Sequence, residues 1–295
     1  MCAEVYEGYG SLSAESIVYV NGEFYPRDEA RISVFDSGIL YGDGVFEAIR
    51  LFNSKPFKQV EHIERLYRSA KALGINIQLT KEEIKRAMEA TIKRNKGMEN
   101  AYVRILVTRG EKKAVGLDPR LCVDRPTVII FAVPVGEAKS ESSLIVSSIR
   151  RTPPECLDPK IKSINYLNNI LAKIEAIHAG ADDALMLDIR GFIAEATGAN
   201  VFIVKEGRMA TPQADNILDG ITRRAIIDLA KSNGFEVQER NVTLQEVYTA
   251  DEIFLTGTSE DVCAVTSVGG RTIGDGKLGP TTEKIMRLYR GMTQP

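Results

Sequence analysis

The chain is poor in the residues on which most metal and hydrolase chemistry depends. Of its 295 residues only two are histidine, His62 and His178. The four cysteines, Cys2, Cys122, Cys156 and Cys263, lie far apart and form no CxxC pair. A zinc centre needs clustered thiols and imidazoles, so no metal site is expected. Isolated thiols suit a reducing compartment, and a cytoplasmic location is expected. Acid–base chemistry then falls to lysine, carboxylate or tyrosine. Long apolar runs are missing too. The nearest, residues 128–135, holds Pro134 and is far shorter than the about 20 residues of a membrane span. No charge of one sign dominates: 38 Lys+Arg stand against 40 Asp+Glu, a net charge of -2. Without a basic surplus or stripe, no nucleic-acid partner is expected. Residues 1–16 carry Glu4, Glu7 and Glu15 and lack the basic-then-apolar order of a secretory signal.

What remains is an ordinary globular composition, 44% hydrophobic and 26% charged. At about 150 residues per domain the length predicts roughly two domains. The opening reads as a hairpin, residues 17–20 and 23–25 about Asn21-Gly22. Residues 37–44, with three glycines, read as a loop, and 45–52 as a strand. Ile63, Leu66, Tyr67, Ala70 and Leu73 share a helix face that stops at Gly74. Thr80 to Glu83 is a capping box opening a second helix. Residues 102–108 and 127–133 read as strands. The polar, turn-rich stretch 134–142 is the expected interdomain loop, between a small domain over 1–133 and a larger one over 143–295. The second half starts with a strand over 144–149 and a proline-rich loop, 151–158. A helix follows whose Leu167, Ile170, Leu171, Ile174 and Ile177 stack together. Closely spaced short strands and two more helices, 221–232 and 281–290, complete it. The fold class is α+β: a small sandwich-like N-terminal domain and a larger pseudo-barrel with flanking helices.

Several residues invite chemistry. Lys162 precedes an apolar helix among uncharged neighbours; desolvation there would free its amine as a nucleophile or Schiff-base former. A solvated lysine is the plain alternative. Glu195 stands between apolar strand residues and a small-residue loop. It either faces water at an edge or is buried and needs a cationic partner. Gly220-Ile221-Thr222 opens a helix, and Thr256-Gly257-Thr258-Ser259 closes a strand. Both offer backbone N–H groups and hydroxyls that suit phosphate, though each is also an ordinary cap. Arg65, one turn after His62, reads as a surface arginine or a phosphate ligand.

These segments occur in one order along nearly the whole chain: residues 41–47, 62–66, 102–104, 108–110, 162–169, 195–202, 220–223 and 256–258. Together they resemble the fold-type IV, pyridoxal-phosphate-dependent aminotransferases, and among these the branched-chain amino acid aminotransferases. The resemblance implies pyridoxal 5'-phosphate as cofactor and Lys162 as the Schiff-base lysine that moves the proton. It implies that Glu195 pairs with the pyridine nitrogen and Tyr166 with the ring hydroxyl. Arg65, Ile221, Thr222 and Thr258 match the phosphate cup, Ile221 through its N–H. Tyr102, Arg104, Phe46 and Ser259 match the substrate side, and Tyr41 a tyrosine that reaches in from a partner subunit. The resemblance thus implies a homodimer or higher homo-oligomer with a shared site, acting on small amino acids and 2-oxo acids. The implied reaction moves the amino group of leucine, isoleucine or valine to 2-oxoglutarate. Three places depart from the pattern. Ala48 stands where glycine is usual, residues 133–136 lack a bulky aromatic, and residues 111–115 replace a glycine-rich loop. A D-amino acid aminotransferase, with Arg109 as carboxylate holder, or an aminodeoxychorismate lyase are the alternatives on the same fold.

Overall fold

The structure, a computed structural model, describes residues 15–123, 125–136 and 138–294, so the extra segment 1–16 falls almost wholly outside it. The chain forms two compact units, Met1–Glu137 with Ile161–Asn165, and Ala138–Lys160 with Tyr166–Pro295.

The first unit is a six-stranded antiparallel sheet with helices on one face. Its strands are β1 (Ile17–Val20), β2 (Glu23–Pro26), β3 (Gly44–Phe52), β4 (Lys55–Pro56), β5 (Asn100–Thr108) and β6 (Thr127–Pro134), in the order β2-β1-β6-β5-β3-β4. Strand side chains alternate between faces. Val45, Ile49 and Leu51 of β3 and Val103, Ile105 and Val107 of β5 therefore share a core with two helices. These are α2 (Gln59–Ala72), which contributes Ile63 and Leu66, and α3 (Lys81–Arg94), which contributes Ile84 and Met88. The capping box forms as read, Thr80 and Glu83 each satisfying the other's backbone N–H. Residues 37–44 differ from the reading: Ser37–Tyr41 is a short helix, α1. Buried Asp36 caps its start by accepting from the Gly38 N–H, and Gly42, at φ 66°, ends it. The glycines hid a cap at one end and a stop at the other.

The second unit carries a mixed nine-stranded sheet. Its strands are β7 (Glu141–Val146), β8 (Asp183–Leu187), β9 (Ile193–Ala196), β10 (Asn200–Lys205), β11 (Arg208–Thr211), β12 (Val237–Glu239), β13 (Glu252–Gly257), β14 (Asp261–Val268) and β15 (Arg271–Thr272). They run β12-β11-β10-β13-β14-β7-β8-β9, with β15 on β14. The strand expected over 144–149 lies earlier, as β7, because it pairs in parallel with β14 and β8. The proline-rich loop contains a helical turn, α4 (Pro154–Leu157). Helices α5 (Leu167–His178), α6 (Ile221–Ser232), α7 (Leu244–Tyr248) and α8 (Pro280–Thr293) complete the unit. Helix α5 packs with its narrow side inward: Ala172 and Ala176 meet Ala184 and Met186 of the sheet. Small side chains let the helix approach closely, so the bulky stripe of Leu167, Ile170, Leu171, Ile174 and Ile177 faces outward, each 41% to 65% exposed.

Candidate active site

Lys162 belongs structurally to the first unit, although the chain reaches it between segments of the second. Residues 162–164 run beside the start of β3. The Phe46 N–H donates to the Lys162 carbonyl at 2.9 Å, and the Ile164 N–H donates to Gly44 at 3.0 Å. The Lys162 N–H donates to Ser69 Oγ on α2 at 3.1 Å. The lysine is thus held at its backbone by a strand and a helix, a rigid mount for its side chain. Its Nζ sits 4.6 Å from the centre of the Phe46 ring.

Beside it lies a buried ionic cluster. Glu47 projects from β3 on the core-facing row of Val45, Ile49 and Leu51, and is fully buried. Arg65 meets it side-on, Nε to Oε1 at 2.6 Å and Nη2 to Oε2 at 2.9 Å. His62 Nδ1 lies 2.7 Å from Oε2. Burial alone would raise the Glu47 pKa, but Arg65 and His62 outweigh it and hold the carboxyl well below its usual range. Burial lowers the pKa of His62, Glu47 opposes this, and Arg65 and Lys162 add to the lowering. Neutral His62 therefore donates its Nδ1–H to an ionised Glu47. Arg65 is buried, so of its two readings the surface arginine is excluded; its helix face meets Glu47.

On the opposite face of the same strands stand the substrate-side candidates. Ala48 of β3 pairs directly with Arg104 of β5, and Arg50 with Tyr102. Arg104 lies over the Phe46 ring at 4.1 Å. Phe46 thus carries Lys162 and Arg104 within one small region of the unit. Buried Arg50 adds a second guanidinium to this face, and its Nε finds no acceptor. Tyr41 ends α1, half-buried, with Lys112 Nζ 5.6 Å from its ring. Arg109 is occupied elsewhere. It grips Asp43 through Nε at 2.6 Å and Nη2 at 3.0 Å, and donates to the Leu73 and Gly74 carbonyls at the end of α2.

The second unit gathers a different set. Glu195, on β9, is buried rather than facing water. Arg151 Nε donates to its Oε1 at 2.7 Å; the Leu218 N–H and Asn200 Nδ2 donate to Oε2 at 3.1 and 3.2 Å. Asn200 in turn lies against Gly220: a Cβ there would fall 2.0 Å from Asn200 Oδ1 and would push Asn200 off Glu195. Gly220 is the N-cap of α6 and supplies no capping side chain; Ile221 and Thr222 follow it, buried. Asn200 pairs in register with Thr256, whose buried Oγ1 has no partner. Thr258 and exposed Ser259 lie in the turn after β13. Tyr166 is the N-cap of α5. An uncapped helix start and an orphaned hydroxyl next to a paired carboxylate fit a phosphate and a cationic ring. This donor set matches the expected cofactor.

Sequence reasoning assigned no role to Glu47, His62 or Arg151. For Glu47 a signal existed, a carboxylate on the core-facing row of a strand. For Arg151 there was none, since its partner is 44 residues away. Among the described residues no cluster of three metal-ligating side chains forms, and no helix is long and apolar enough to cross a membrane.

Comparison with known proteins bears on these features directly. Residues 44–268 match the family model for amino-transferase class IV. A putative branched-chain-amino-acid aminotransferase of Methanocaldococcus jannaschii is 46% identical, over 92% of this chain and 95% of its own. The branched-chain-amino-acid aminotransferase of Pseudomonas aeruginosa is 36% identical, over 93% and 92%. The crystal structure of the branched-chain amino acid aminotransferase from Thermobaculum terrenum, in its PLP-bound holo form, superposes with a TM-score of 0.87 at 30% identity, covering 95% of this chain and 94% of its own. With its two curled sheets and its matched core, the chain belongs to the class IV aminotransferases and is an aminotransferase enzyme.

Proposed function

We propose that the enzyme transfers the amino group of branched-chain L-amino acids to 2-oxoglutarate, with pyridoxal 5'-phosphate as cofactor. When bound, the cofactor supplies a cationic ring that accepts electron density from the carbon losing its proton. The chain's residues do the rest. Lys162 anchors the cofactor through its amine and moves the proton at the substrate α-carbon. Glu195, held in place by its ion pair with Arg151, faces the ring nitrogen and keeps its proton there. Tyr166 donates to the ring hydroxyl. Arg65, the Ile221 N–H, Thr222 and Thr258 hold the phosphate. Phe46, Tyr102 and Ser259, with Tyr41 of the partner subunit reaching in, shape the substrate side, where Arg104 takes the second carboxylate of glutamate and 2-oxoglutarate. The link between the small and the larger domain is placed within residues 134–142, between the end of β6 and the start of β7.

One observation carries the reading. Arg104 and Lys162 stack on the same Phe46 ring, whereas Arg109, the arginine a D-specific enzyme needs, is bound to Asp43 and to the end of α2. The relatives' names, given above, support the branched-chain donor. We propose further that the enzyme works as a homodimer. Leu167, Ile170, Ile174 and Ile177 on the outer face of α5 are spaced three, four and three residues apart, the stripe that pairs with a second copy of itself. The test of the activity is a coupled assay for glutamate with L-leucine, L-isoleucine, L-valine and D-alanine as donors. Turnover with the L-donors is expected; D-alanine above every branched L-donor would overturn the reading.

A further inference from the structure

We infer that Glu47 is a positioning residue that sets Arg65 for the cofactor phosphate, with His62 as its brace; this rests on reading Arg65 as a phosphate ligand. A carboxylate on the core row of Val45, Ile49 and Leu51 is costly, because an aliphatic side chain would pack there without desolvating a charge. What the charge secures is geometry. Both Glu47 oxygens are engaged by one guanidinium side, Nε at 2.6 Å and Nη2 at 2.9 Å, which fixes the plane of the group. His62, three residues earlier on α2, holds the second oxygen from the helix side at 2.7 Å. Ser69, one turn after Arg65, accepts the Lys162 N–H. One buried polar stripe of α2 thus ties Arg65 to Glu47 on β3 and to the backbone of Lys162. The phosphate arginine is set relative to the reactive amine by a strand and a helix, not by its own flexible stem. A guanidinium whose charge is partly balanced discriminates by the direction of its N–H groups more than by bare attraction.

The amine form of the cofactor is not attached to Lys162, so its binding reads the phosphate grip directly. The dissociation constants of pyridoxamine 5'-phosphate and of pyridoxamine are measured for the full chain, and the pyridoxamine constant is divided by the pyridoxamine 5'-phosphate constant, so that a weakened phosphate grip lowers the ratio. Glu47→Asp keeps the charge but withdraws it by one methylene; the ratio is expected to fall by about tenfold or more while pyridoxamine binding is unchanged. His62→Leu removes the brace and leaves the fork; a fall of about threefold is expected, and it carries the test where Glu47→Asp does not fold. A merely structural role would weaken both ligands alike and leave the ratio untouched. Arg65→Met separates the two ideas. If it keeps the wild-type ratio, the phosphate reading of Arg65 itself fails. If it loses the ratio while Glu47→Asp and His62→Leu retain it, the positioning role is overturned and the reading of Arg65 stands.

Discussion

One amine carries the proposed reaction, so Lys162→Ala is expected to abolish turnover and leave the fold intact. Borohydride reduction of the loaded wild type should fix the cofactor on the peptide containing Lys162; label on another lysine refutes the assignment. Glu195→Gln has two expected effects. The neutral amide no longer keeps the ring protonated, so kcat drops by orders of magnitude. It also leaves Arg151 buried without its counter-charge, at a cost of about 3–5 kcal/mol in a denaturant titration. A mutant within about twofold in rate, under 0.5 kcal/mol in the barrier, would make Glu195 a purely structural residue. Arg104→Met should raise the KM for 2-oxoglutarate about tenfold or more, about 1.4 kcal/mol, with little change for leucine. Lys162 and Glu195 each invited chemistry by position, but only the ordered set of motifs gave them roles. Taken alone, each was an ordinary lysine and an ordinary glutamate until the fold supplied Phe46 and Arg151.

At the scale of elements, periodicity and capping located α2, α3 and the strands well. The signals are local: a 3.6 or 2.0 repeat and a Thr–Glu box need no tertiary contact. Thr80→Ala is accordingly expected to cost about 1 kcal/mol by thermal melting and to leave kcat unchanged. Helix α1 escaped notice, because its cap, Asp36, is identified by burial and by bonds to Thr108 and Thr127, which are remote in sequence. The β3–α2 junction predicts a pH dependence. Glu47 and His62 both titrate below their ordinary values in the folded state, so the unfolded chain binds more protons as the solution is acidified. Stability from this pair is complete above about pH 6.5, falls first through His62, and falls again below about pH 4.5 through Glu47. Urea midpoints measured across that range should follow this order, and His62→Leu should remove the first step alone.

For the molecule as a whole, light scattering at micromolar concentration is expected to report a dimer. Ile170→Lys with Ile174→Lys should yield a monomer whose circular dichroism matches wild type. A dimer unchanged by both substitutions moves the interface elsewhere. Composition, charge balance and the order of motifs were sufficient for class, cofactor type and the positions of most elements, because these depend on local pattern and on residue chemistry. Three things waited for the fold. The outward turn of α5 was invisible, since an aliphatic stripe reads alike whether it meets a core or stands bare; Ala172 and Ala176 decided it by packing closer. The transfer of residues 161–165 to the first unit depends on hydrogen bonds to Gly44, Phe46 and Ser69, each more than 90 residues away in the chain. The pairings of Glu47 with Arg65, Glu195 with Arg151 and Arg109 with Asp43 likewise join distant residues. A charge's partner, and hence whether it is buried, spent on structure or placed for chemistry, is settled by which surfaces the folded chain brings within 3 Å, and local sequence pattern carries no information about that distance.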